Sequence, residues 1–223
     1  MKKIIFVLVV FSICIACRTH KERKEYDIAF NKYIVSRGID PKTVKGMDYM
    51  DDYIEYKKEK KKEKLLNHPY FKVNQVYIHK DKDDDDYLFE VYDDNGRVYI
   101  GGSDIVGENL SFPKDGMITV TDPITLDLLG FYKLENNKLT IKRWKKTAYR
   151  KWYENDIGFV RNDSIYLNGW YYAKEIGFKR KWLAITHKTD FRLRYAPNLK
   201  ARRGKNFVGG KIFVITEGTF KVQ

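Results

Sequence analysis

Three stretches of this chain set alternating aromatic and branched residues on either side of a short turn rich in Asn and Asp, and that pattern constrains the fold more than any other feature. Phe89 and Val91 lead through Asp93, Asp94, Asn95 and Gly96 to Val98 and Ile100. Tyr132 and Leu134 lead through Asn136 and Asn137 to Leu139 and Ile141, and Phe159 leads through Asn162 and Asp163 to Ile165 and Leu167. A period of two puts alternate side chains on one face of a strand, while Asn, Asp and Gly tolerate the positive φ angles of tight hairpin turns. Each stretch therefore reads as a hairpin, and the body as an antiparallel meander. The turn centres near 95, 136 and 162 are 41 and 26 residues apart, so no strict repeat underlies them. Further strands are expected at 72–79, 117–121, 170–176, 183–187, 191–195, 211–216 and 219–222, and a short turn of helix around Asp122, Pro123 and residues 126–129. Eight to eleven strands in about 150 residues suit a barrel or a sandwich, either of which suppresses exposed edges.

The composition supports a real core. Of 223 residues, 43% are hydrophobic and 15% aromatic, including 17 Tyr, 13 Phe and 4 Trp against 5 Pro. That excludes a disordered or collagen-like chain, since aromatics supply the buried area that disorder lacks, and a third of the residues being charged excludes a multispan membrane protein.

Before the strands the period is helical. Tyr26, Ala29, Phe30, Tyr33 and Ile34 share one face, and Arg37 and Gly38 supply a basic last turn and a stop. Asp40 and Pro41 form an N-cap and first-turn pair, after which Val44, Met47, Met50, Tyr53 and Ile54 continue an apolar stripe. From Lys57 to Lys64 the sequence has no apolar residue, so this part of the helix projects into solvent or lies along anionic headgroups. The expected fold class is thus α+β, mainly antiparallel β: a helical segment over 22–66 followed by a β-meander over 67–223 that closes as a barrel or sandwich.

The first residues form a charged start, Met1 to Lys3, and an apolar run from Ile4 to Ala16, then Cys17. A membrane-spanning helix needs about 20 apolar residues, and Arg18, His20 and Lys21 interrupt this one too soon, so residues 1–16 read as a secretory signal peptide. Cys14, Ile15, Ala16 and Cys17 resemble the lipobox of bacterial lipoproteins. The resemblance covers residues 1–17 and implies that Cys17 is lipidated and becomes the mature N-terminus. It also implies an exported, cell-envelope protein anchored through acyl chains, with residues 17–21 as the tether; Arg18 after the cysteine implies the outer membrane. Cys14 and Cys17 are the only cysteines, so the mature body has no disulfide and no cysteine-based metal site. Gly130, Phe131 and Tyr132, leading into the second hairpin, resemble strands of lipocalin-like bacterial envelope proteins, a likeness that carries no functional residue across.

Charge is spread unevenly. Residues 18–64 hold 14 basic and 10 acidic groups, residues 65–135 hold 6 and 14, and residues 136–223 hold 21 and 6. The C-terminal third is the basic face, which in an exported protein points to anionic lipid headgroups, acidic glycans or another envelope protein rather than nucleic acid.

Chemistry-bearing motifs are few. The acidic run Asp81, Asp83, Asp84, Asp85 and Asp86 fails the EF-hand template, since Asp86 and Tyr92 stand where Gly and Glu are required, and reads as a solvated hairpin loop. Gly204, Gly209, Gly210 and Lys211 lack the spacing of a phosphate-binding loop and read as a turn before a strand. The four histidines, His20, His68, His79 and His187, form no metal-ligand spacing, and His68 before Pro69 reads as a linker residue. Ser103 lacks a nucleophile-elbow glycine two places on. No catalytic residue, cofactor or metal is expected.

The densest unusual feature is a basic and aromatic cluster: Arg143, Trp144, Lys145, Lys146, Arg150, Lys151 and Trp152, echoed by Trp170, Tyr171 and Tyr172 and by Arg180, Lys181 and Trp182. Aromatic faces stack on sugar rings or settle at headgroup depth, and Arg and Lys clamp phosphate or carboxylate. The plainer alternative sends each Trp inward and each basic residue outward on strands, with Leu139 and Ile141 facing in and Thr140 and Lys142 facing out. Three functions remain open on sequence. The first is a noncatalytic lipid-anchored envelope module binding anionic glycan, lipid or a protein through this face. The second is a lipocalin-like carrier of a small apolar ligand inside a barrel. The third is an envelope hydrolase with acids such as Asp104 or Glu154 converging.

Overall fold

The structure, a computed structural model, describes residue 21 and residues 23–45, 47–80, 86–103, 107–174 and 177–222. The expected signal peptide, the lipidation site Cys17, the tether up to His20, the acids Asp81 to Asp85, and Asp104 lie outside the described residues. Among the described residues no helix is long and apolar enough to cross a membrane. The chain divides between Lys61 and Lys62 into two compact units.

The first unit is helical. Helix α1 (residues 23–36) stops at Gly38, whose φ of 75° ends the helix as only glycine does cheaply. Asp40 then caps a short 3-10 turn, Pro41–Thr43, its carboxylate accepting from the Lys42 N–H at 3.0 Å. Val44 is extended, and α2 (Met50–Leu66) begins later than the apolar stripe alone implies. The unit's core is rich in rings: Tyr33, Ile34 and Tyr53 are buried, with Tyr26, Phe30, Tyr56, Ile39 and Val44 packed around them. Ring pairs there stand 4.8–6.5 Å apart. Residues 57–64 of α2 are exposed on every face, as their lack of apolar side chains requires.

Among the described residues the second unit has twelve strands: β1 (Val76–Lys80), β2 (Tyr87–Tyr92), β3 (Arg97–Ser103), β4 (Met117–Thr119), β5 (Ile124–Glu135), β6 (Lys138–Lys146), β7 (Lys151–Arg161), β8 (Ser164–Ala173), β9 (His187–Tyr195), β10 (Lys200–Lys205), β11 (Lys211–Glu217) and β12 (Thr219–Lys221). Apart from β4, each strand from β1 to β9 pairs antiparallel with the next, and β9 returns to β1 through Tyr77↔Tyr195 and Ile78↔Arg194. The result is a closed eight-stranded up-and-down barrel, so the sandwich alternative falls away. The three hairpin turns read from sequence join β2 to β3, β5 to β6 and β7 to β8. Asn136, Asn162 and Asp163 take positive φ there, as does Gly96.

Twelve-residue β5 organises the rest. Its far edge pairs with β6 through Gly130–Glu135 and, nearer its start, with β11 through Ile124, Thr125 and Leu126. The β10–β11 hairpin thereby joins the barrel wall, and β4 and β12 form a separate two-stranded sheet. Two cores follow from this arrangement. Inside the barrel lie Tyr77, Tyr92, Val98, Tyr132, Leu139, Ile141, Val160, Ile165, Leu167 and Leu193. The opposite faces of β1 to β3 give Val76, Ile78, Phe89, Val91 and Tyr99 to a second core with Leu110, Ile118, Leu126, Phe213, Ile215 and Phe220. Strands buried on both faces are apolar at nearly every position, which is why this wall reads Val-Tyr-Ile and Tyr-Leu-Phe.

Several expected elements differ. Residues 126–129 are strand, lying within β5. The strand expected at 72–79 starts only at Val76, and 183–187 is loop up to the start of β9 at His187. Strand β10, Lys-Ala-Arg-Arg-Gly-Lys, was not foreseen, because it carries no alternating apolar residue.

Candidate functional site: one end of the barrel interior

The two ends of the barrel are built differently. One end carries the β2–β3, β5–β6 and β7–β8 turns and is plugged by the segment after α2. Phe71, 1% exposed, packs its ring 5.2–6.1 Å from those of Tyr92, Tyr132 and Tyr77. The Lys72 N–H donates to the Tyr77 hydroxyl at 2.7 Å, and the Tyr132 hydroxyl donates to the Asp93 carbonyl at 2.6 Å. His68, expected as a linker residue, clasps the plug. Its Nδ1 accepts from the Phe71 N–H at 3.1 Å, and its Nε2 lies 2.9 Å from the Asn136 carbonyl. Burial drives the Tyr77 and Tyr132 hydroxyls far above the ordinary tyrosine value, so both stay neutral donors and acceptors.

The other half of the interior is polar. Strand register builds it in rungs: Ile141 faces Asp156, which faces Trp170, which faces His187. The next rung toward the mouth runs Arg143, Glu154, Tyr172, and beyond it Lys145 stands opposite Trp152. Side chains directly opposite in an antiparallel pair share a face, so all of these project with Ile141 into the barrel. From β2, Glu90 joins them with no solvent exposure. The Arg143 guanidinium bridges two carboxylates, Nη2 to Glu90 Oε1 at 3.4 Å and Nε to Asp156 Oδ2. The Tyr92 hydroxyl donates to the second Glu90 oxygen. Burial raises the Glu90 carboxyl above its ordinary range, and Arg143 and Tyr92 only partly offset it. Burial likewise raises Asp156 against the pull of Arg143 and Lys145.

Toward the opening the rings take over. The Trp152 indole N–H donates to Glu154 Oε1 at 2.7 Å, fixing both side chains. Trp170 stacks on His187 at 4.1 Å and meets Tyr172 edge-on at 5.5 Å. His79 packs on Phe191 in a tilted pair, ring centroids 3.7 Å apart, with Nδ1 2.8 Å from the Arg192 carbonyl. Arg143 and Asp156 keep 13% and 14% of their side chains exposed, whereas Glu90 keeps none.

The structure divides the sequence-derived cluster three ways. Arg143, Lys145 and Trp152 face into the barrel. Trp144, Lys146 and Lys151 occupy the outer face of the same hairpin, where Trp144 is half exposed and Lys151 lies 5.6 Å from its ring. Arg150, Arg180, Lys181 and Trp182 belong to loops around the opening: Arg150 stands 5.6 Å from the Trp152 ring, Arg180 5.5 Å from Tyr171 and Lys181 6.0 Å from Tyr172. With Tyr149, Leu183 and Ile185, the 87%-exposed Trp182 makes an uncovered apolar rim.

Sequence reasoning did not pick out Glu90, Asp156 and His187. Glu90 had a legible signal, a single acid in the otherwise apolar strand Tyr-Leu-Phe-Glu-Val-Tyr. Of the acids named for a hydrolase, Glu154 is bound by Trp152 and Asp104 is outside the described residues. Among the described residues no group of His, Cys, Asp and Glu is placed to hold a metal ion. The arrangement offers flat ring faces, fixed carboxylate acceptors and cationic donors to something entering the barrel. No family model matches the chain, and neither a curated protein nor a solved structure does.

Proposed function

We propose that the protein is a noncatalytic, lipid-anchored binding module of the cell envelope that takes an anionic, sugar-like group into the open end of its barrel. The single observation behind this reading is the inward row Lys145–Trp152, Arg143–Glu154–Tyr172 and Asp156–Trp170–His187. Rings stack on pyranose faces, Glu154 and Asp156 accept from hydroxyls, and Lys145 with the basic loop residues meets the ligand's carboxylate or phosphate. A buried ion cluster is a poor way to gain stability, since apolar replacements are often as good or better, and it stands in the half of the barrel away from the Phe71 plug. The acyl anchor at Cys17 rests on the lipobox resemblance and would hold this module on the outer membrane.

A second reading, a carrier of a small apolar ligand, is favoured by the closed eight-stranded barrel. It is opposed by the Phe71 plug and the packed apolar half behind it, and by the Arg143, Glu90 and Asp156 ion cluster in the other half. One titration separates them: tryptophan fluorescence of the protein against tetragalacturonate and, in parallel, against a C16 fatty acid. Saturable binding of the uronate, weakened about tenfold by Trp152→Ala (roughly 1.4 kcal/mol) with an unchanged circular dichroism spectrum, is the expected result. Saturation by the fatty acid alone establishes the carrier instead, and response to neither removes both.

A further inference from the structure

The β10–β11 hairpin carries a feature that the barrel interior does not use. Hairpin turns normally hold Gly, Asn, Asp or Ser, yet this one presents Phe207, fully exposed, and Val208, 73% exposed. The turn is firmly built. Asn206 N–H donates to the Gly210 carbonyl at 2.9 Å, Gly209 N–H to the Asn206 carbonyl at 2.9 Å, and Gly210 N–H to Asn206 Oδ1 at 2.7 Å. Gly209 adopts a φ of 80°, which completes the turn. The two apolar side chains are therefore held out by the backbone and not merely left loose.

Immediately behind them, Lys205 stands directly opposite Lys211 across the hairpin. Like charges in that position repel unless an anion lies between them. Both line a cavity of about 330 Å³ whose apolar floor is Tyr99, Ile212 and Phe213 and whose third cation is Arg203. Asp94 and Asn74 hold the Arg203 guanidinium in place, 5.8 Å from the Phe213 ring. Arg202 adds positive charge to the same hairpin, while Lys200 is paired with Glu217 at 2.8 Å.

We infer that this hairpin docks on an anionic phospholipid bilayer: Phe207 and Val208 enter the acyl boundary, and a headgroup phosphate sits in the cavity between Lys205, Lys211 and Arg203. Apolar side chains ringed by lysines fit a surface that is oily below and negative above. The cavity also includes Asp93 and Asn95 of the β2–β3 turn, so the tip points toward the plugged end of the barrel. Docking there leaves the opposite, open end facing away from the bilayer. The inference stands apart from the sugar-binding reading, because no residue is shared.

Photocrosslinking of the full chain tests it. p-Benzoylphenylalanine replaces Phe207 in one sample and Tyr149, at the open end, in another. Each is incorporated into vesicles of phosphatidylcholine with roughly one part in three phosphatidylglycerol. The expected result is a phospholipid adduct at 207 and little at 149. The adduct at 207 should fall about tenfold in Lys205→Glu/Lys211→Glu, and similarly in vesicles of phosphatidylcholine alone. Equal adducts at both positions, adducts indifferent to lipid charge and to the lysines, or no adduct at 207 each overturn the inference. A crosslink from 207 to a second copy of the chain overturns it in favour of self-association.

Discussion

With no exposed surface and a guanidinium it must share with Asp156, the Glu90 carboxylate carries a desolvation penalty that its partners only partly offset. The folded protein therefore holds this proton more tightly than the unfolded chain does. Stability linked to Glu90 is complete below the unfolded carboxyl value of about 4.3 and is lost as pH rises through the higher folded value. Glu90→Gln, which mimics the protonated acid, is expected to match the wild type near pH 4 and to exceed it by about 1 kcal/mol at neutral pH in urea titrations. A difference that shrinks with rising pH would refute this. Arg143→Ala should do the reverse, costing about 3–5 kcal/mol at neutral pH because two carboxylates lose the guanidinium that bridges them. Asp94 behaves oppositely to Glu90: partial burial pushes its carboxyl up, but hydrogen bonds from Lys62 and Arg203 outweigh this and hold it low. At this scale the sequence was informative one residue at a time. Glu90, passed over in the sequence reading, is legible in hindsight as the one acid of an apolar strand, whereas its pairing with Arg143, 53 positions away, depends on a register that composition does not encode.

Elements were legible wherever a turn residue announced them and illegible where the period of two broke. The Asn and Asp turns located three hairpins because positive φ is a demand that few residue types meet. Leu126 to Leu129 looked helical because β5 is bulged there: Val98 faces Gly130 while Tyr99 faces Leu128, so Leu129 is skipped and the alternation changes phase. Leu183 and Ile185 alternate like a strand but lie uncovered in a loop, and β10, at the sheet edge, packs only the small Ala201 against the core. A similar irregularity lies in β8, where Asn168 is skipped because Gly158 faces Leu167 while Ile157 faces Gly169. The register shifts between Ile157 and Gly158, and a Cβ at Gly158 would collide with the Tyr166 carbonyl on β8. Gly158→Ala should accordingly cost about 1–3 kcal/mol in denaturant titrations. Gly204→Ala, whose Cβ would meet the Ile212 and Val214 side chains at ordinary contact distances of 3.4 and 3.8 Å, should stay within about 0.5 kcal/mol of wild type. Equal costs would show that close backbone approach is not what fixes Gly158.

The molecule as a whole is two units with very unequal cores. The helical unit buries Tyr33, Ile34 and Tyr53 with three flanking rings, a small core for a segment of this length. The β unit has two clusters, one on each face of the β1–β3 wall. All four tryptophans, Trp144, Trp152, Trp170 and Trp182, belong to the β unit, so their emission reports it alone. Ellipticity at 222 nm is weighted toward α1 and α2. Because the smaller core has less apolar area to set against chain entropy, the helical signal should be lost at lower denaturant than the tryptophan shift. Tyrosine near-ultraviolet dichroism should show two steps, since Tyr26, Tyr33, Tyr53 and Tyr56 lie in one unit and Tyr77, Tyr92 and Tyr132 in the other. Coincident transitions by all three probes would mean that the units unfold as one, with the continuous helix α2, which crosses the boundary at Lys61, coupling them.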